Sequence, residues 1–262
     1  MRYFLLTLIL FLCITPALAT DYTVDDTCTL SDAIRAANAD EERGECPAGD
    51  GADTITLSAD ITLEGELPRV LSEITIEGAG FSISGAEQFR IFYVDGGALT
   101  LQNIHLTAGL AHNEVSFTFV DGVTGRSKSG GAIIANRGSR LDLVNSRFTN
   151  NVADAYGGVL DSWDSEINVV DSEFSGNMAG DGGAIGSAFS VVTISNSSFD
   201  GNAAAATGGA LQVFNGTANV SDTNFSGNTA AEDGGVINVF AGTVEQSGNS
   251  FSDNEGGDCA GC

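Results

Sequence analysis

Basic residues are scarce in this sequence, and they are confined to its first 147 residues. Ten lysines and arginines stand against 35 aspartates and glutamates, which gives a formal net charge of −25, and no lysine or arginine follows Arg147. Binding to nucleic acid or to an anionic membrane surface requires concentrated positive charge. We therefore expect no nucleic-acid partner and no direct membrane insertion, and we expect a well-solvated acidic surface.

Histidine is also scarce, with two residues in the chain, His105 and His112. A hydrolase or lyase acting on polysaccharide needs a carboxylate pair or a basic catalytic group in a defined arrangement. His105 lies in an alternating run and is expected at the surface of a strand. The best carboxylate group, Asp161 with Asp164 and Glu166 around Trp163, has no basic or histidine partner nearby in sequence. We expect no catalytic residues and no enzyme, with Trp163 as a weak candidate for contacting carbohydrate.

Long helical periodicities and leucine-rich patterns are missing from the second half, which excludes leucine-rich, ankyrin and tetratricopeptide repeats. What is present is a repeat of about 26 residues, marked by a phenylalanine and, three positions later, an asparagine. The repeated residues are Phe148, Phe174, Phe199, Phe225 and Phe251, with Asn151, Asn177, Asn202, Asn228 and Asn254. Glycine pairs follow the first four phenylalanines, for example Gly157-Gly158 and Gly182-Gly183.

Short runs rich in β-branched residues fill each period between the glycine pair and the next phenylalanine. Bounded by glycine, asparagine and serine, they predict several strands of three to five residues per period. The pattern predicts an all-β, parallel β-helix of about seven to eight rungs, in which each period is one turn of a coil. The repeated phenylalanines should form an internal aromatic column, and the asparagines an amide ladder at a turn where asparagine tolerates the left-handed region. The glycine pairs should occupy a corner that excludes a Cβ atom or needs a positive φ.

The combination of F-x-x-N with Gly182-Gly183-Ala184-Ile185 resembles the polymorphic outer membrane protein repeat of chlamydial-type surface proteins. The resemblance extends over roughly residues 106 to 254, within the broader right-handed parallel β-helix, pectate-lyase-like superfamily. It implies surface exposure, an adhesive role and, by analogy, an outer-membrane location. The same superfamily also contains polysaccharide lyases and glycoside hydrolases, so a carbohydrate-active enzyme is the alternative.

The N-terminus has the pattern of a secretory signal over residues 1–19. Arg2 supplies the positive end, an apolar run extends from Phe4 to Ile14, and Ala17-Leu18-Ala19 forms a small-residue cleavage site before Thr20. The expected mature chain is exported and extracellular or at the cell surface, and it retains four cysteines, Cys28, Cys46, Cys259 and Cys262. Export and an even count favour disulfides. Three connectivities are possible, and proximity favours Cys28–Cys46 and Cys259–Cys262.

One convincing helix is expected, over residues 30–43 within an N-terminal cap that spans residues 20–52. Leu30, Ala33, Ile34 and Ala37 recur on one face, Thr29 or Ser31 can cap the start, and Gly44 can end it. Such a helix would close the open end of the coil. The surrounding cysteine-containing segment resembles the CSLREA-type segment that precedes secreted β-helices.

The β-helix itself is expected over residues 53–262 as one domain, with regular repeats at about 130–254. An insertion at about 112–127 delays the glycine pair Gly130-Gly131 and should leave the coil as a loop or short hairpin. It holds His112, Phe117, Phe119 and Arg126.

Acidic turns containing Asp154, Asp181 and Glu232-Asp233 raise a weak possibility of bound calcium, although they do not match a calcium-binding repeat. We therefore expect no cofactor. The function expected from the sequence is that of a secreted or cell-surface, non-catalytic β-helix protein acting in adhesion or as a structural surface component. Its partners would be glycans or the surface proteins of host or neighbouring cells.

Overall fold

The computed structural model describes residues 19–111, 115–118 and 124–262 of the chain. The predicted signal segment up to Leu18 lies outside these ranges, as do the loop residues His112 and Phe119. The described chain is a parallel β-solenoid of about seven turns with one short helix, which confirms the predicted fold class. Each regular turn contributes one strand to each of four parallel sheets.

Sheet A runs the full length of the coil and alternates buried and exposed side chains along most of its strands, as a sheet with one buried face should. Its nine strands, in spatial order, are β1 (Asp21–Val24), β2 (Asp53–Leu57), β4 (Glu73–Glu77), β7 (Ala98–Gln102), β13 (Arg140–Val144), β17 (Glu166–Val170), β21 (Val191–Ser195), β25 (Thr217–Ser221) and β29 (Thr243–Ser247).

Sheet B carries the repeated phenylalanine at the centre of each of its regular strands. Its eight strands are β3 (Ile61–Thr62), β5 (Ser82–Ser84), β8 (His105–Thr107), β14 (Arg147–Thr149), β18 (Glu173–Ser175), β22 (Ser198–Asp200), β26 (Asn224–Ser226) and β30 (Ser250–Ser252).

Sheets C and D follow the glycine and asparagine corners. Sheet C contains β6 (Phe92–Asp95), β12 (Ile133–Asn136), β16 (Leu160–Trp163), β20 (Ile185–Ala188), β24 (Leu211–Phe214), β28 (Ile237–Phe240) and β31 (Cys259–Ala260). Sheet D contains the two-residue strands β9 (Leu110–Ala111), β15 (Val152–Ala153), β19 (Met178–Ala179), β23 (Ala203–Ala204) and β27 (Thr229–Ala230). The inserted segment forms an antiparallel hairpin of β10 (Val115–Thr118) and β11 (Thr124–Ser127), as expected for an excursion from the coil.

The repeated phenylalanines stack along the axis of the coil. Phe148, Phe174, Phe199 and Phe225 are fully buried, and Phe251 at the last turn is partly buried. Successive ring centroids lie 4.7, 4.5, 5.1 and 5.3 Å apart with interplanar angles of 21° or less. Leu106 takes the phenylalanine position one turn before Phe148. The column therefore combines burial of apolar area with offset ring contacts.

The asparagines form a continuous hydrogen-bonded ladder. Asn177 Nδ2 donates to Asn202 Oδ1 over 2.9 Å, and the backbone N–H of Asn177 donates to the same oxygen over 3.1 Å. The expected left-handed conformation was assigned to the wrong residue: it belongs to the position before each asparagine, occupied by Asn150, Gly176, Gly201, Gly227 or Asp253. The ladder asparagine is thus selected for its buried side-chain hydrogen bonds, and its neighbour makes the turn.

A second ladder, of hydroxyl groups, lies two residues before the phenylalanines. The backbone N–H of Ser146 donates to Ser172 Oγ over 3.1 Å, and that of Ser172 donates to Ser197 Oγ over 3.2 Å. Thr223 continues the series on the next turn. These buried hydroxyls satisfy backbone donors where the chain passes from sheet A to sheet B.

The glycine pairs are required for two different reasons. Gly157, the first residue of its pair, has φ +62°, in the left-handed region. Gly158 does not, but a Cβ atom there would collide with the carbonyl oxygen of Gly183 on the next turn. The first glycine therefore makes the corner and the second allows adjacent turns to approach.

The capping helix, α1 (Leu30–Ala39), is four residues shorter than expected. Thr29 caps its start, with Oγ1 accepting from the N–H of Asp32. Asp40 ends it in the left-handed conformation at φ 51°, and Gly44 therefore does not serve as the helix terminator. The buried face of the helix covers the first turns of sheet A. Both favoured disulfides are present, Cys28–Cys46 with a Cα separation of 4.9 Å, and Cys259–Cys262.

Candidate functional site

The outer face of sheet C brings together two columns of side chains. Strands β16, β20, β24 and β28 are paired in register, so equivalent residues of successive turns are direct neighbours. The second residue of each strand forms one column: Asp161, Gly186, Gln212 and Asn238. The fourth residue forms the other: Trp163, Ala188, Phe214 and Phe240. Both columns point away from the core because the intervening third residue is the inward one.

The second of these columns is largely aromatic. Where Ala188 interrupts it, the next residue, Phe189, adopts φ 52° and fills the gap. Ring centroids lie 4.8 Å apart for Trp163 and Phe189, 5.8 Å for Phe189 and Phe214, and 5.4 Å for Phe214 and Phe240. We call these four residues the aromatic stripe.

The aromatic stripe is exposed to solvent. Phe189, Phe214 and Phe240 are 47%, 37% and 61% exposed, and Trp163 is half-buried. Large apolar side chains that are contiguous and exposed mark surfaces that contact another molecule. The stripe therefore differs from the buried phenylalanine column, whose role is to hold the coil together.

The other column, which we call the polar column, carries hydrogen-bonding groups beside the stripe. Asn238 Nδ2 donates to Gln212 Oε1 over 2.8 Å. The hydroxyl of Thr207, from the adjacent corner, lies 2.7 Å both from Gln212 Oε1 and from Asp181 Oδ1. Amide and hydroxyl groups at this spacing can exchange hydrogen bonds with a ligand that lies along the stripe.

Asp161 lies at the N-terminal end of the polar column, two residues before Trp163 and on the same face. Burial raises the pKa of Asp161 to about 7, an effect that the Arg90 guanidinium and a hydrogen bond from Ser129 oppose. Arg90 also donates from Nη2 to the Ser129 carbonyl over 2.7 Å and from Nε to the Gly130 carbonyl over 2.9 Å. The prediction that Asp161 lacks a basic partner was wrong in electrostatic terms, because the positive charge of Arg90, from an earlier part of the coil, acts on its carboxyl group.

The other predicted carboxylates do not join Asp161. Asp164 lies in a turn with φ 48°, and Glu166 is the first residue of β17 in sheet A. His105 is half-buried on sheet B, where its Nε2 lies 2.8 Å from Thr149 Oγ1. Burial lowers the pKa of His105, with a further contribution from Arg147. The structure thus places His105 at the strand surface, as expected, and away from Asp161 on a different sheet.

Two of the acidic turns hold carboxylates that bind other residues of the chain. Asp154 forms an ion pair with Lys128 over 3.3 Å, and Asp181 accepts from both the N–H and the hydroxyl of Thr207. Within the described ranges, no three histidine, cysteine, aspartate or glutamate side chains are grouped in a way that could hold a metal ion. A groove of about 300 Å³ lies at the corner between sheets A and B, where Asp171 and Asp222 flank the buried hydroxyl ladder. The ladder hydroxyls that line this groove already accept hydrogen bonds from backbone N–H groups of adjacent turns.

Sequence reasoning identified Trp163 but missed the stripe to which it belongs. An aromatic residue precedes each of the last four repeated phenylalanines by ten or eleven positions, as Trp163 precedes Phe174 and Phe240 precedes Phe251. This periodicity would have been sufficient to find the aromatic stripe.

None of the helices in the described part of the chain is long and apolar enough to cross a membrane.

Comparison with known proteins supports the repeat assignment. No curated protein and no solved structure matches the chain. The family model of the Chlamydia polymorphic membrane protein repeat matches residues 171–188 and 222–239. Each matched segment begins in the turn before a strand of sheet B and extends into sheet C, so it includes a repeated phenylalanine, a ladder asparagine and a glycine pair. The repeat family and the β-helix fold together suggest a surface-associated protein. The chain is thus a β-solenoid that carries two matched copies of the Chlamydia polymorphic membrane protein repeat.

Proposed function

We propose that this protein is an exported, surface-associated recognition protein that binds carbohydrate without turning it over. The ligand would lie along the outer face of sheet C, across the aromatic stripe and the polar column. The observation that carries the proposal is the alignment of four aromatic rings on consecutive turns, each half-buried or exposed, beside a column of amide and carboxyl groups.

The chemistry of the face matches that of a sugar chain. The C–H faces of sugar rings pack against aromatic rings, while hydroxyl groups at the ring edges exchange hydrogen bonds with amides and carboxylates. In this protein the aromatic stripe would pack against the sugar rings, and the polar column would exchange hydrogen bonds with the sugar hydroxyl groups. Because the stripe offers one ring per turn and the polar column offers a polar side chain on three of the four turns, a chain of several sugar units can make repeated contacts along the axis of the coil.

The charge of the protein favours a neutral glycan. The net charge is −25, and the four turns that carry the stripe contain no lysine or arginine, since none follows Arg147. An anionic polymer such as a polyuronate would be repelled by this surface. Attachment to neutral glycans on host or neighbouring cells is therefore the adhesive role that we propose.

The test is a binding screen of the exported protein against neutral and anionic glycans, with product analysis of every binding pair. For a ligand that binds, Phe214→Ala and Phe240→Ala should each weaken binding about three- to tenfold, the range expected for one aromatic contact. Met178→Ala is the matched control, because Met178 is an exposed apolar residue, 54% accessible, on sheet D. Unchanged binding in both phenylalanine variants would refute the proposed surface.

A second candidate function is a carbohydrate-active enzyme on the same face, and it is favoured by Asp161. A carboxyl group with a pKa of about 7 can serve as a proton donor near neutral pH. Product analysis in the same screen separates the two functions. Turnover that is lost in Asp161→Asn while binding is retained would establish the enzyme, and binding without products would support recognition alone.

A further inference from the structure

A buried carboxylate without a balancing side chain lies under the first strand of the coil. Asp53 is 1% exposed and begins β2. Its Oδ1 accepts from the backbone N–H of Thr20 over 2.9 Å and from that of Asp50 over 3.1 Å. Its Oδ2 is buried and has no hydrogen-bond partner among the described residues.

Asp53 has no ion-pair partner within the described part of the chain: no lysine, arginine or histidine there forms an ion pair with it. Its neighbour Tyr22 has a buried hydroxyl that also lacks a partner. Burial and the Asp53 charge raise the pKa of Tyr22 to about 12, so this hydroxyl stays neutral. A buried ionised carboxylate is costly unless it is paired.

One of the two backbone donors to Asp53, Thr20, is the residue that the signal-cleavage pattern places first in the mature chain. Ala17-Leu18-Ala19 precedes Thr20 as a small-residue cleavage site. Hydrolysis of the Ala19–Thr20 bond by a signal peptidase adds the hydroxyl of water to the Ala19 carbonyl carbon and a proton to the Thr20 nitrogen. The resulting amine, with an ordinary pKa of about 8, takes up a further proton at neutral pH.

We propose that removal of the signal segment after Ala19 creates the missing cation, and that the Thr20 α-ammonium forms a buried ion pair with Asp53. The nitrogen already lies 2.9 Å from Oδ1, and as an ammonium it gains protons that it can donate to the same carboxylate, whose Oδ2 has no other partner among the described residues. Processing converts a backbone hydrogen bond into a charge-assisted one.

The position of Thr20 is fixed by further contacts. Its Oγ1 donates to the Ala48 carbonyl over 3.1 Å, and its carbonyl accepts from the N–H of Thr54 over 2.9 Å. β1 begins at the next residue and pairs with β2 in sheet A. The ion pair therefore stabilises the N-terminal end of β1 against β2. As a consequence, the N-terminal cap reaches its full stability only after the signal segment is removed.

The test uses the full chain, exported and processed by a bacterial host, with the N-terminus of the product read by mass spectrometry. A companion variant carries Gly-Ser inserted between Ala19 and Thr20, which moves the new ammonium two residues away. We expect the natural product to begin at Thr20 and its folding equilibrium constant to exceed that of the insertion variant at least about tenfold. The advantage should disappear in an Asp53→Asn background and persist in Asp21→Asn, an exposed neighbouring acid.

Amine labelling gives a second readout that does not depend on Asp53→Asn folding. The mature chain contains one lysine, Lys128, so the Thr20 amine and the Lys128 amine are its two primary amines. At neutral pH the Thr20 amine should react at least about tenfold more slowly than the inserted terminus, with Lys128 unchanged as an internal control. An N-terminus elsewhere, equal labelling rates, or an equal insertion effect in both Asp53 backgrounds would overturn the proposal.

Discussion

Asn177 Nδ2 donates a hydrogen bond to the carbonyl oxygen of Phe148, one turn earlier in the coil, over 3.0 Å. The same contact recurs from Asn202 to Phe174 and from Asn228 to Phe199. Each ladder amide therefore binds the backbone of the preceding aromatic residue while its other proton reaches the next asparagine. The two most regular columns of the sequence are one hydrogen-bonded unit.

Replacing Asn177 with alanine should lower the free energy of unfolding by about 2–4 kcal/mol. The change removes one buried amide and leaves the Phe148 carbonyl and the Asn151 donors without partners, each at a cost of about 1–3 kcal/mol, partly relieved by water. Asn224→Ala is the matched control, because Asn224 is exposed and, among the described residues, its side chain accepts a hydrogen bond from Ser250 alone. Denaturant unfolding measures the free energy of unfolding of both variants. An equal decrease in the two variants would show that the ladder amide does not stabilise the fold.

The phenylalanine column should be sensitive to cavity formation. Phe199→Ala at the centre of the stack should destabilise the protein by about 3–5 kcal/mol. Phe199→Leu should cost less, since Leu106 occupies the equivalent position on an earlier turn. Phe240→Ala, on the exposed stripe, should change stability by less than about 1 kcal/mol. Thermal and denaturant unfolding of the three variants would distinguish the buried column from the stripe, and a large loss in Phe240→Ala would contradict the distinction.

Glycines that lie against the backbone of the next turn should respond to substitution differently from glycines that only adopt a positive φ. Gly183→Ala should severely destabilise the fold because its Cβ atom would meet the carbonyl oxygen of Gly209 on the next turn. Gly201→Asn should be tolerated, since Gly201 has φ +60° with open space around it and Asn150 occupies the equivalent turn. Soluble yield and melting temperature provide the measurement. A stable Gly183→Ala protein would show that adjacent turns can move apart.

Asp161 should make stability depend on pH in a defined direction. Burial raises its pKa from 3.8 to about 7, so the folded state holds its proton more tightly than the unfolded state. Stability from this group is present below pH 4 and is lost as pH rises to about 7. Relative to Asp161→Asn, the natural protein should therefore lose stability between pH 4 and 7 and change little above. A difference that is flat across this range would contradict the raised pKa.

The fold was largely predictable because its determinants recur in sequence. The Phe148 and Asn151 columns follow from a strict period, since paired parallel strands place equivalent residues side by side. Helix α1 ends at Ala39, before the predicted residue 43, because Asp40 adopts the left-handed conformation, which L-residues other than glycine seldom adopt. The electrostatic interaction between Arg90 and Asp161 could not be predicted, because the inserted hairpin breaks the period between them. The stripe was predictable in principle, but Trp163 was considered without its aromatic equivalents on later turns.

The most direct test of carbohydrate recognition uses Trp163, which is the single tryptophan of the chain and lies in the aromatic stripe. Neutral oligosaccharides identified in the binding screen are titrated into the protein while its intrinsic fluorescence is recorded. We expect a saturable change whose midpoint shifts to about three- to tenfold higher ligand concentration in Phe214→Ala and is unchanged in Met178→Ala. Binding that saturates without altering Trp163 fluorescence, and with the same affinity in Phe214→Ala, would contradict carbohydrate recognition by the aromatic stripe.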